Sequence, residues 1–172
     1  MAATKEVWAK AAEIVRDAGG RVVGRTKLQK IAYLLELCGL GGGFQFSYRH
    51  YGPYSEELAE AIKVASAFGL VTEEERQADW GGIYSIYSSS EGSSDQSNAR
   101  TQFARAAAQF GAVELELAAT AAYLRAVERC AEPWKETKRL KPEKATTVRL
   151  HAAKVAYQEL QKLSVPKALP NI

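Results

Sequence analysis

The sequence predicts a mainly α-helical chain with a small β component, in which a winged-helix-like N-terminal unit packs against a C-terminal helical bundle. Apolar residues recur at helical spacing through most of the chain, and strict two-residue alternation is confined to short runs. In the first half the order is helix, helix, strand, helix and strand pair, which is the order of a winged helix. Boundaries follow from composition: residues 1–87 form the front unit, 88–99 a Ser-rich flexible loop, and 100–172 the C-terminal helices, packed with the front as one domain. The 172 residues, 47% apolar and 25% charged, have ordinary globular composition. A chain of this size can bury roughly 70% of its unfolded surface without a disulfide or metal.

The first helix is expected over about Thr4 to Ala18, with Thr4 as cap and Val7, Trp8, Ala11, Ile14 and Val15 inward. Gly19-Gly20 stops it. The second runs from about Thr26 to Cys38, with Leu28, Ile31, Leu34 and Leu35 on one face and Tyr33 and Leu37 widening it. Phe44, Phe46 and Tyr48 alternate with polar residues as a half-buried strand does. Tyr51-Gly52-Pro53-Tyr54-Ser55 then turns the chain, and Ser55 caps a third helix with Glu56 and Glu57 in its first turn. Leu58, Ala61, Ile62, Ala65 and Phe68 line that helix. Leu70-Val71-Thr72 and Ile83 to Tyr87 read as the strand pair of a wing.

Beyond the Ser-rich loop, the pattern predicts a short helix around Arg100–Phe110 and a longer one around Val113–Cys130. A basic connector after Pro133-Trp134 leads to a last helix over about Thr146 to Leu163. Its inner face should carry Val148, Ala152, Val155, Ala156, Leu160 and Leu163.

Cys38 and Cys130 are far apart and read as small buried hydrophobes in a reducing compartment. With no run near the ~20 apolar residues of a membrane helix, and no apolar signal core after Met1, a cytoplasmic chain with no membrane partner is expected. The two histidines, His50 and His151, lack partners at metal spacing. No nucleophile elbow, P-loop or dinucleotide fingerprint is present. The expectation is therefore no enzyme, no catalytic residue, no metal and no cofactor. Carboxylate pairs such as Glu56/Glu60 and Glu114/Glu116 read as solvated helix faces.

The net charge of +3 is small, but its distribution is uneven. Residues 1–38 hold 7 basic and 4 acidic side chains, 39–99 hold 3 and 9, and 100–172 hold 13 and 7. Two segments stand out, Gly24 to Leu35 and Tyr51 to Leu58. Arg25, Lys27, Gln29, Lys30 and Tyr33 would line one polar helix face beside Tyr48, Tyr51 and Tyr54. Tyrosines next to basic groups give contact area at low entropic cost, so these eight are the expected partner-binding residues. On that reading, Tyr51→Ala combined with Lys30→Glu abolishes partner capture without unfolding the chain.

Lys27-Leu28-Gln29-Lys30, Tyr33-Leu34 and Tyr51-Gly52-Pro53 resemble the signature of bacterial Panacea-domain proteins, which include SocA-type antitoxins, and of the YwgA-like group. The stretch Leu115 to Leu124, followed by Lys141-Pro142, is similar to the YwgA-like pattern. The similarity touches most of the chain outside the Ser-rich loop. It implies a bacterial or phage-encoded protein that binds a protein partner, as an antitoxin neutralising a toxin or as an adaptor in a defence system. Tyr54-Ser55 stands where a valine is more typical, a departure that bears on the antitoxin role more than on the fold.

The alternative is a winged-helix DNA-binding regulator. A groove-reading helix needs outward Arg, Lys, Asn or Gln, whereas the third helix offers Ser55, Glu56, Glu57, Glu60, Lys63 and Ser66. Any nucleic-acid patch would instead use Lys135, Lys138, Arg139, Lys141, Lys144 and Arg149, or Arg21, Arg25, Lys27 and Lys30. The oligomeric state stays open, a homodimer included.

Overall fold

A computed structural model describes residues 5–172. The expected cap Thr4 lies outside the described residues. The elements, in chain order, are α1 (Val7–Asp17), β1 (Arg21–Val23), α2 (Arg25–Leu37), β2 (Ser47–Arg49), β3 (Gly52–Tyr54) and α3 (Glu56–Ala67). They continue as β4 (Val71–Gln77), β5 (Ile83–Ser89), α4 (Ala99–Ala108), α5 (Ala112–Ala126), α6 (Pro133–Leu140) and α7 (Thr147–Gln161). The chain is mainly α with a small β part. Two antiparallel sheets occur, one ordered β1-β5-β4 and one made of β2 and β3 alone.

Each front element forms for a local reason. Ala11, Ile14 and Val15 of α1 are buried at helical spacing, and Trp8 stacks on Phe68, just past α3, with centroids 4.8 Å apart. Ser55 caps α3 by accepting the Leu58 N–H at 3.1 Å. Phe44 is buried and Phe46 and Tyr48 half-buried, so the expected alternation is present. Only Ser47–Arg49, however, finds a strand partner, and that partner is Gly52–Tyr54. The Gly-Pro turn is thus part of a hairpin. β1 was not expected, because three residues are too few to show a period.

α5 is the central helix. Every residue from Leu115 to Leu124 is buried, as befits a helix enclosed by α2, α6, α7 and β3. A continuous apolar core runs from Ala11 and Ile31 in the front through Leu115 to Tyr157 and Leu160 at the back. Each fully buried leucine contributes roughly 1.5–3 kcal/mol.

Four expectations are corrected at the back. α5 ends at Ala126 rather than Cys130, leaving Val127 exposed and Cys130 only half-buried. The basic connector is helical, since Pro133 suits a first helical position and Thr137 returns its hydroxyl to Pro133 O at 2.7 Å. α7 is rotated from its expected face: Ala153, Ala156, Tyr157 and Leu160 point inward, while Val148 and Val155 are exposed. The turn comes from Tyr157, which packs edge-on to Trp134 and donates to Pro170 O at 2.6 Å.

The Ser-rich stretch is the fourth. Ser88 and Ser89 belong to β5, and the remainder is tied down by polar groups rather than apolar ones. Ser94 is buried, its N–H donates to Arg16 O at 3.1 Å, and its carbonyl accepts from Arg105. Asn98 and Thr101 close a capping box on α4, and Arg100 pairs with the buried Asp17 at 2.7 Å. Among the described residues, no helix is long and apolar enough to cross a membrane.

Candidate functional site

The two motif segments meet, and they meet in the interior. Gln29 on α2 exchanges a pair of hydrogen bonds with the backbone of Ser55. Its Nε2 donates to Ser55 O at 2.9 Å, and its Oε1 accepts the Ser55 N–H at 2.8 Å. Next to it, Lys30 Nζ donates to Pro53 O at 2.7 Å. Both side chains are buried, Lys30 completely. The Lys-Leu-Gln-Lys helix is therefore a clamp on the Tyr-Gly-Pro hairpin.

A second set of charges closes the clamp from the other side. Glu116, 2% exposed on α5, accepts from Lys141 Nζ at 2.8 Å and from Lys144 Nζ at 2.8 Å. Lys141 Nζ also donates to His50 O at 2.9 Å, and Lys144 Nζ stands 4.4 Å from the centre of the Tyr51 ring. Burial pushes the Lys30 ammonium down to about 7. Glu116 opposes that shift, and Lys141 and Lys144 reinforce it. A lysine near neutrality can serve as a base, but this one is sealed from solvent and bonded to a carbonyl.

Gly52 lets the hairpin approach α5. Its φ is +85°, and a Cβ there would lie 2.4 Å from Thr120 Oγ1, which is itself engaged with Glu116 O at 2.7 Å. Gly52→Ala should therefore cost roughly 2–3 kcal/mol, from left-handed backbone strain plus overlap. Urea unfolding of the full chain measures it. A loss under about 0.5 kcal/mol would mean that the close approach is not needed.

Gln29, Lys30 and Tyr33 are thus corrected: they are interior groups, not a partner-binding face. Tyr33 packs on Phe46 and Tyr123, and its hydroxyl has no hydrogen-bond partner among the described residues. Burial raises its pKa well above the ordinary tyrosine value. The expectation that Lys30→Glu leaves the chain folded also fails, because the new carboxylate would sit buried against Pro53 O and near Glu116. Tyr48 is half-buried against Tyr123 at 5.8 Å, and Tyr51 stays exposed. Lys27 is half-buried, with burial lowering its pKa.

Of the eight, Arg25, Tyr54 and the buried Gln29 border a surface groove of about 170 Å³ between α2, α3 and the β4–β5 sheet. Leu28, Ile62 and Tyr87 form its apolar lining, and Glu56, Glu60 and Glu73 its acidic rim. Arg25 reaches Glu73 at 3.0 Å and Glu75 at 3.1 Å. Burial pushes the Glu73 carboxyl up, but hydrogen bonds from Ser85 and Arg25 outweigh it and hold the group below the usual range.

The six-residue basic patch does not assemble as expected. Lys141 and Lys144 are committed to Glu116, Arg139 to Glu136, and Lys135 to Glu132 at 3.5 Å. Among the described residues, only Lys138 and Arg149 of the six are outside an ion pair. Glu116 is a correction as well: by pattern a solvated carboxylate, it is buried in the interior. Its signal was available: it is the one charge within the apolar run from Leu115 to Leu124.

Among the described residues, no three His, Cys, Asp or Glu side chains gather where they could hold a metal ion. The sequence matches no protein-family model and no curated protein. The resemblance to Panacea-domain and YwgA-like proteins stands on the quoted motifs alone.

Proposed function

We propose that this chain is a non-enzymatic protein-binding module of a bacterial or phage-encoded system, of the kind that neutralises a toxin or serves as an adaptor in defence. The reading treats residues 7–89 as a winged-helix unit. The order α1-β1-α2-α3-β4-β5 with sheet order β1-β5-β4 supports it, and the β2–β3 hairpin is an insertion between the two helices. The observation that carries the function is the charge of α3. On the winged-helix reading α3 is the recognition helix, and it exposes Glu56, Glu57 and Glu60 against a single lysine, Lys63. Such a helix repels a phosphate backbone and suits a protein surface with basic groups.

Tagged chain, co-expressed with the products of its neighbouring genes, should capture one of them in a stoichiometric complex. Glu56→Lys with Glu57→Lys and Glu60→Lys should lose that capture while the chain stays folded, at a cost of about 1–2 kcal/mol for reversing the charge of the first turn. Capture unaffected by the triple change would remove α3 from the binding face. No complex, together with duplex DNA binding that weakens with salt at a slope near −0.9 per phosphate, would replace this reading with the DNA-binding one.

A further inference from the structure

We infer that the open edge of β4 is a docking strand, which takes up an extended, lysine- or arginine-bearing segment of a partner protein as a fourth strand of the β1-β5-β4 sheet. The inference rests on the protein-binding reading above and names the partner's chemistry. β4 is seven residues long and pairs on one side only, with β5. Ser90 N–H bonds Leu70 O at 3.0 Å and Ala78 N–H bonds Gly82 O at 2.7 Å, which sets the alternation along the ladder. In an antiparallel pair, N–H and C=O of a given residue point to the same side and switch side at each step. Thr72, Glu74 and Arg76 therefore bond β5, and Glu73 and Glu75 point their backbone groups away from it. These outward groups have no partner among the described residues.

The side chains select what can pair there. Glu73 and Glu75 share the face that carries Tyr87 and Ser85, their direct cross-strand partners, and that face borders the groove. The carboxylates of Glu56, Glu57, Glu60, Glu73, Glu74 and Glu75 outnumber by two the four basic side chains that pair with them. A strand laid about 4.8 Å from β4 would place alternate side chains beside Glu73 and Glu75. Basic residues at every second position would meet both carboxylates and free Arg25 from holding two at once. A second copy is a poor occupant, because antiparallel β4–β4 pairing about Glu74 sets Glu73 against Glu75. Like charges opposed in this way are how exposed edges avoid self-pairing.

The probe is a synthetic peptide of alternating lysine and threonine, titrated into the full chain and followed by binding and by amide hydrogen exchange. Slowed exchange at the Glu73 and Glu75 amides is expected. Binding should be lost when the central backbone amides of the peptide are N-methylated, which keeps the charge but removes the ladder donors in either strand direction. Glu75→Lys should weaken binding roughly tenfold. Equal binding of the N-methylated peptide, or no protection at Glu73 and Glu75, would overturn the docking strand. So would protection of these amides by self-association without peptide. If α3 charge reversal abolishes capture of the co-expressed partner but Glu75→Pro does not, the edge inference fails and the protein-binding reading stands. Failure of any partner to be captured sinks the latter instead.

Discussion

Replacing Glu116 with alanine should lower the unfolding free energy by about 3–5 kcal/mol, the range for removing one partner of a buried ion pair. Among the described residues, Glu116 is the only carboxylate bonded to Lys141 and Lys144, and Lys30 lies close enough to feel it. Without it, Lys141 keeps its ammonium 5% exposed with, among the described residues, only the His50 carbonyl to bind. The hairpin would lose the charged link that runs through Lys141 to Glu116 on α5, so the loss should appear in cooperative unfolding rather than as local fraying. A matched variant tests the cause. Glu116→Leu with Lys141→Met and Lys144→Met removes all three charges, and replacing a buried ion set by apolar groups is often close to neutral. It should therefore recover most of the stability. Equal losses in both proteins would mean that packing, not charge, is what Glu116 supplies.

The second large effect is a pH dependence. Lys30 titrates near 7 in the folded chain, against an ordinary lysine value of 10.5. Below pH 7 it is charged in both states, and the full burial penalty opposes folding. Between the two values the folded state binds fewer protons than the unfolded one, so stability rises with pH, by at most about 1.4 kcal/mol per pH unit. Above 10.5 the contribution is constant. The groups facing Lys30, namely Glu116, Lys141, Lys144 and the Pro53 carbonyl, are present equally in a Lys30→Met variant. Wild type should therefore gain on Lys30→Met steadily from pH 7 to 9.5 in urea unfolding. Parallel profiles would show that Lys30 stays protonated throughout.

Much of the fold was legible because helix-forming patterns are local. The apolar spacing in α2, the Ser55 cap with its acidic first turn, and the glycine stops are set within a few residues of the chain. The candidate face was legible only in part. Arg25, Tyr54 and the acidic α3 were visible, but Lys30 and Gln29 looked like surface groups because polar side chains usually are. Their burial depends on the carbonyls and amides of the Pro53–Ser55 hairpin, more than twenty residues away. The face of α7 was misread for a similar reason. Its amphipathic signal is weak, and the contact between Tyr157 and Trp134 decided the rotation.

By itself the sequence determined the mainly helical class, the order of most elements, and an acidic middle flanked by basic ends, since propensity, caps and charge are properties of neighbouring residues. Only the tertiary structure decided that the Lys27–Lys30 motif grips a hairpin, that Glu116 neutralises two lysines, and that β4 keeps an open acidic edge. Those facts depend on which distant groups share a low-dielectric interior and which backbone donors find a partner. Separation along the chain carries no information about either.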